Sequence, residues 1–300
     1  MLTLLRKHPR FFGITMILVA TLFIAVADAL AKWLAGSYTT VQIAFMRSVT
    51  GFVYVSTFLL LWGRLRDLRT QYFGLHMLRS VLVTLILLGV FYALGQIPMV
   101  EVEAIGHAAP VFVALAAPWT LRERVTGHNW LAIGIGFFGV LIILRPDPGH
   151  FHIAHVVMLL SAAGYAVLIM LARKLSTRDP VLAITFYLYP LSVILTGLLV
   201  IGHWRTPTAT HLAGFMLQGL AATVATLFYI AGLKHIEATL TATLDYVTLI
   251  WVASLGIVFW GEVPDSYTLA GIVLIVGSGI YIVRHSSRRI DESIVQTPEH

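Results

Sequence analysis

Residues 91–95 read Phe91-Tyr92-Ala93-Leu94-Gly95, and residues 228–232 read Phe228-Tyr229-Ile230-Ala231-Gly232. The echo extends outward from both copies. Glu123 and Glu262 each close the apolar stretch that follows, and Leu131-Ala132 with Gly139 answers Leu269-Ala270 with Gly277. Upstream, Ala31-Lys32-Trp33-Leu34 is matched more loosely by Ala172-Arg173-Lys174-Leu175. The chain therefore reads as two copies of one unit, and the content of that unit decides the fold.

Each copy holds five apolar stretches of bilayer-crossing character, where a span takes about 20 residues. They are Phe12–Leu34, Thr40–Gly63, Phe73–Ile97, Pro98–Leu121 and Asn129–Leu144, then Phe151–Leu175, Pro180–His203, Leu212–His235, Ala238–Trp260 and Ser266–Val283. The expected units are residues 1–146 and 147–284, followed by a polar tail over 285–300. Because five is odd, the second copy enters the membrane from the opposite side. Such an inverted repeat can present one central site to either face by exchanging the conformations of its halves. The predicted fold class is an all-α membrane protein of ten transmembrane helices in two inverted five-helix repeats.

Composition agrees. With 58% hydrophobic and 11% charged residues and a mean hydropathy of +0.87, too little charge remains to cover a globular surface. There is no Cys, so disulfides and thiolate metal sites are excluded. The first span follows Arg6, Lys7 and Arg10 without a small-residue cleavage pattern and reads as a retained helix. Of the 20 Lys and Arg residues, fifteen fall in the segments on one side. Three (Lys32, Arg145, Arg205) fall on the other, and Arg47 and Arg79 lie within spans. By the positive-inside rule both termini are expected in the cytoplasm. The net charge of +6 is thus read as a topology signal and not as a nucleic-acid surface.

Two five-span halves, the run from Gly95 to Pro110, the closing Glu123, a Gly-rich fifth span and a second copy ending at Glu262 resemble the drug/metabolite transporter superfamily, EamA type. Within it the chain is similar to the YddG-like aromatic amino-acid exporters. One departure concerns the second copy, which has Leu249 where Pro110 stands in the first.

Ionisable groups inside spans cost roughly 2.5 to 3.5 kcal/mol on insertion scales and so mark function or a buried pair. His107 is the tenth residue of the fourth span, roughly 15 Å deep, and Asp245 holds the corresponding place in the ninth, one position out of register with His107 in the repeat. Inversion brings both near the central axis. There they either contact a substrate's charged groups or bond between packed helices. Tyr92, Tyr165, Tyr229 and Tyr246 carry hydroxyls that want partners away from lipid, and either line a cavity or pack helices. Asp28, Lys32 and Arg47 form a second cluster, read as a structural ion pair between the first two spans or as an outer gate that captures a carboxylate. Arg79 is two turns from a helix end and is expected to snorkel. Trp62, Trp119, Trp130, Trp204 and Trp260 read as interfacial, and the glycines of the fifth and tenth spans as close-packing positions. His150, His152 and His155 have a passing likeness to metal spacing but lack a carboxylate partner beyond Asp147, and no metal or other cofactor is expected. No Gly-x-x-x-x-Gly-Lys loop is present, so ATP does not drive the protein directly.

The resemblance implies a multi-pass protein of the bacterial inner membrane that exports aromatic or large apolar amino acids by alternating access, as monomer or homodimer. Its partners would be a small amphipathic metabolite and membrane lipid, with no nucleic acid. The alternatives are uptake of a vitamin or nucleoside-like solute such as riboflavin or S-adenosylmethionine, a passive channel, or an intramembrane enzyme. The last would need a catalytic constellation that the sequence does not offer.

Overall fold

The computed structural model describes residues 9–109, 112, 127–144, 152–176, 178–233, 235 and 244–295, and every regular element among them is a helix. The first repeat contains α1 (Pro9–Ala35), α2 (Thr40–Leu61), α3 (Phe73–Leu94), α4 (Met99–Gly106) and α5 (Gly127–Leu144). The second contains α6 (Ile153–Ser176), α7 (Val181–Phe186), α8 (Tyr189–Val200), α9 (Ala209–Leu233), α10 (Val247–Trp260) and α11 (Ser266–Val295). Helices follow from the solvent: in hydrocarbon each backbone N–H and C=O must be satisfied within its own segment. Among the described residues, five segments are long and apolar enough to cross a membrane, namely Phe11–Ala35, Thr40–Leu61, Phe73–Leu94, Val181–Val200 and Ala209–Gly232.

Packing obeys the repeat. α1 packs on α9 as α6 packs on α3, and α1 on α10 as α6 on α4. The pair α2 with α9 is answered by α8 with α3, while α5 with α11, α4 with α10 and α2 with α8 are their own counterparts. An approximate two-fold axis therefore runs through the contacts of α4 with α10. Small buried residues permit the close approaches. A methyl built on Gly139 would lie 2.9 Å from the Gly271 carbonyl oxygen, so α5 and α11 meet backbone to backbone at this point. The flanking Gly134 and Gly277 have open space instead. Large apolar groups such as Leu61, Ile201, Val258 and Phe259 are exposed, as lipid-facing residues are.

Three elements depart from the apolar spans. The seventh span is broken at Tyr187-Leu188, just before Pro190, which lacks the N–H that would continue the helix ladder. Leu188 N–H bonds back three residues to Thr185 O (3.3 Å). The shortened turn leaves the Ile184 carbonyl to Arg79, whose Nη1 donates to it at 2.9 Å. Arg79 is only 6% exposed, so it ties α3 to α7 instead of snorkelling. Second, α11 continues to Val295. The polar run from His285 is helical up to that point because hydropathy marks a membrane exit, not a helix end. Third, α4 stops at Gly106, far short of the apolar stretch that contains it, and residues 113–126 lie outside the described set.

Candidate functional site

The break after Gly106 builds the site. His107 caps α4, its N–H bonding Glu103 O at 2.9 Å, and its ring folds back so that Nδ1 lies 2.8 Å from the same carbonyl. On the other side of the axis, Leu249 N–H donates three residues back to Tyr246 O (3.2 Å) at the start of α10. That tightened turn leaves the Asp245 carbonyl available, and His107 Nε2 lies 3.1 Å from it. A proline at 249 would have no N–H to give, so the departure noted in the sequence forms this turn. Carbonyl oxygens only accept hydrogen bonds. Both ring contacts of His107 are therefore hydrogen bonds only when the ring is an imidazolium. A carboxyl oxygen of Glu103 lies 3.7 Å from Nδ1.

Around this junction the two repeats contribute one group of polar side chains. Tyr229 Oη donates to Asp245 Oδ2 at 2.6 Å, and the Tyr246 ring lies over His107, with centroids 5.2 Å apart. Asp28 from α1 is within electrostatic range of Glu103 and Arg47, and Glu103 of Asp245. Tyr165 from α6 senses both Asp245 and Glu103. His107, Asp245, Tyr229 and Tyr246 thus meet across the axis, while Tyr165 is 39% exposed on α6. Tyr92 sits half-buried against the apolar core and shows no hydroxyl bond among the described residues. Arg47 lies 5.8 Å from the centre of the Phe91 ring, and its guanidinium has no hydrogen bond or ion pair among the described residues. Asp28 and Arg47 make no direct ion pair.

Lys32 corrects the expected cluster. Its ion pair is with Glu262 (2.8 Å), not with Asp28 one turn away, and its Nζ also donates to Leu94 O (3.2 Å) and Ile97 O (3.0 Å). Glu262 in turn accepts from Met99 N–H at 3.0 Å. Gly261, at φ 66°, makes the left-handed turn that ends α10 and aims Glu262 back at this contact. One knot thus joins the ends of α1, α3 and α10 to the start of α4. Beside it, His155 Nε2 contacts Glu101 at 3.1 Å, giving that histidine the carboxylate partner the sequence had not supplied. His150, Asp147, Trp119 and Trp130 lie outside the described residues or side chains.

At the opposite end, His76 Nε2 and Thr70 Oγ1 both lie 2.7 Å from Asp179 Oδ2, and Arg178 Nη1 donates to Tyr72 Oη, which fastens α3 to the start of α7. Sequence reasoning missed Glu103, Glu101 and the His76–Asp179 contact. Only Glu103 left a local signal, its i,i+4 spacing to His107.

The EamA-like transporter family matches this chain twice, over residues 11–145 and 152–284. The S-adenosylmethionine uptake transporter of Rickettsia prowazekii is 23% identical over 90% of this chain and 92% of its own. The pseudopaline exporter of Pseudomonas aeruginosa is 28% identical over 91% and 96%, and the riboflavin transporter of Rhizobium johnstonii 28% over 92% of both. A solved crystal structure, 19% identical, superposes with a TM-score of 0.63 over 92% of this chain and 98% of its own. A two-copy family match that coincides with exchanged helix contacts around one polar centre fixes the assignment: this chain is a multi-pass membrane protein, a transporter and not an enzyme, and it belongs to the EamA-like transporter family.

Proposed function

We propose that this chain is a secondary transporter of the bacterial inner membrane that exports amino acids with aromatic or large apolar side chains, and related small metabolites, by alternating access. The observation that carries the reading is the meeting of His107 and Asp245 at the interrupted ends of α4 and α10, where broken helices offer backbone and side-chain charge to a solute. Arg47, whose guanidinium lies over the Phe91 ring and donates no hydrogen bond among the described residues, suits a substrate carboxylate. Asp28, Glu103 and Asp245 suit its ammonium. The Tyr246, Tyr229 and Tyr165 rings suit an apolar or aromatic side chain. Resemblance to the aromatic amino-acid exporters supports the direction. The Lys32–Glu262 knot then lies at the outer end, with both termini in the cytoplasm.

Uptake of a nucleoside-like or vitamin solute is the second reading, favoured by relatives named for S-adenosylmethionine and riboflavin. Counterflow in proteoliposomes separates the two. Vesicles preloaded with phenylalanine should accumulate labelled phenylalanine or tryptophan, and His107→Ala should slow that exchange without unfolding the protein. Accumulation of labelled riboflavin or S-adenosylmethionine, with no amino-acid exchange, would replace the first reading by the second. A single Cys at Thr39 should react with an impermeant reagent from outside intact cells; protection there together with reaction from inside would invert the topology.

A further inference from the structure

We propose that the end of the bundle opposite the Lys32–Glu262 knot holds a phosphate-binding site between Arg69 and Arg178, which takes an anionic phospholipid headgroup or a soluble phosphate ester. A cavity of about 480 Å³ lies there, lined by Arg69, Thr70, Gln71 and Tyr72 of the first repeat and by Arg178 and Asp179 of the second. The segment between the helical turn Leu65–Leu68 and α3 supplies one wall, and the residues just before α7 supply the other. The site is independent of what the central junction carries.

The bonding pattern leaves the two guanidiniums to a visiting anion. Asp179 is buried, and its Oδ2 lies 2.7 Å from both Thr70 Oγ1 and His76 Nε2. Thr70 Oγ1 also accepts from Tyr72 N–H at 2.9 Å, so the wall is fixed by its own bonds. Asp67, the other carboxylate of this end, pairs with Arg64 at 2.7 Å. Arg69 and Arg178 are exposed, and neither has an ion pair among the described residues. Arg178 is nevertheless positioned: its Nη1 donates to Tyr72 Oη, and the guanidinium carbon lies 4.8 Å from the centre of the Tyr72 ring. Its remaining donors form part of a planar fork that matches phosphate oxygens. Two guanidiniums face one carboxyl, so the cavity is cationic whatever the protonation of Asp179 and His76. Beside it, α3 exposes Phe73 (56%) and Leu78 (48%), which gives a lipid held by its headgroup an apolar surface for its chains. Because Arg69 and Arg178 belong to different repeats, a phosphate bound to both ties the halves together at this end and opposes their separation.

Titration of the full-length protein in detergent with phosphatidylglycerol or phosphatidylcholine, read by native mass spectrometry, tests the site. Phosphatidylglycerol should bind the parent at least about five-fold more tightly than phosphatidylcholine, whose choline offsets the phosphate charge. Arg69→Gln breaks no side-chain bond among the described residues and should remove that preference, and Arg178→Gln should do the same. Arg66→Gln deletes an exposed charge of the same loop that does not line the cavity, and it should leave the preference intact. Saturating phosphatidylglycerol should raise the melting temperature of the parent by about 3 °C and that of Arg69→Gln much less. Excess glycerol phosphate that displaces the lipid assigns the site to soluble phosphate esters, whereas lipid that stays bound assigns it to the headgroup. No preference for phosphatidylglycerol in the parent, a preference that survives both Arg69→Gln and Arg178→Gln, or an equal loss in Arg66→Gln each overturns the site, the last by reducing the effect to general surface charge.

Discussion

Lys32 and Arg47 are both cations set among the spans, and their surroundings could hardly differ more. Lys32 is saturated: a carboxylate at 2.8 Å, two carbonyls, and the Trp260 ring 5.9 Å away occupy its donors and its charge. Arg47 has the Phe91 ring and electrostatic neighbours in Tyr189 and Asp28, with no donor engaged among the described residues. A saturated cation holds helices together, whereas an unsaturated one waits for a partner that comes and goes. On the proposed function, the first kind suits a gate and the second a binding site. The contrast predicts separate responses to mutation.

The largest effect falls on the saturated side. Lys32→Met leaves Glu262 without its cation and two carbonyls without a donor in a site where the side chains are only 10% and 20% exposed. Removing one partner of a buried pair costs about 3 kcal/mol. Thermal unfolding in detergent should show a drop of that size, partly recovered in Lys32→Met with Glu262→Gln. An unchanged melting temperature would mean that the knot does not hold the four helix ends.

Next comes the hinge between the two kinds of site. Tyr229→Phe deletes the 2.6 Å bond to Asp245, and hydrogen bonds to a charged group contribute about 1.5 to 3 kcal/mol. Stability should fall by about the lower figure, with slower substrate exchange. A loss of exchange alone would make the hydroxyl a substrate contact rather than a support for Asp245.

How far the sequence reached can be judged from the same residues. The repeat was legible because Phe91–Gly95 and Phe228–Gly232 share their residue types, and the helix-pair exchange follows from it. The convergence of His107 on Asp245 was legible for the same reason, since inversion fixes which positions approach the axis. The sequence groups Lys32 with Asp28, one turn away on the same helix, and with Arg47, whereas Glu262 lies far along the chain and reaches Lys32 only through the left-handed turn at Gly261. Arg79 was read from depth alone. Its partner, the Ile184 carbonyl, exists because the seventh span breaks before Pro190, and an apolar run gives no hint of a break in hydrogen bonding. Glu103 escaped because acidic residues near a span's start read as interfacial until the helix end at Gly106 shows where the membrane-buried turn lies.

A smaller effect is expected for the aromatic wall. Tyr246→Ala removes the ring over His107, and an aromatic pair contributes about 0.5 to 1.5 kcal/mol beyond buried area. Counterflow of aromatic amino acids should weaken by a few-fold, and that of alanine or serine much less. Equal weakening of both would assign Tyr246 to positioning His107 instead of contacting the solute.

The smallest effect on stability belongs to the unsaturated side. From the sequence, Asp28 and Arg47 form a structural pair whose disruption leaves a charge stranded. Among the described residues no direct contact joins them, so neither Asp28→Asn nor Arg47→Gln removes a hydrogen bond or an ion pair, and only their longer-range attraction couples them. Each substitution also lowers the desolvation cost of a charge held among helices. The two changes should each shift unfolding little, and the double variant should depart from their sum only by the weak attraction between the two groups, well short of the several kcal/mol that breaking a buried contact pair costs. Substrate exchange should nevertheless fall in both, because on the proposed function these are the groups that a zwitterion uses. If each single variant instead unfolds several degrees early and the double variant recovers, Asp28 and Arg47 are a second latch, and the division between saturated and unsaturated cations fails at the position where it was drawn.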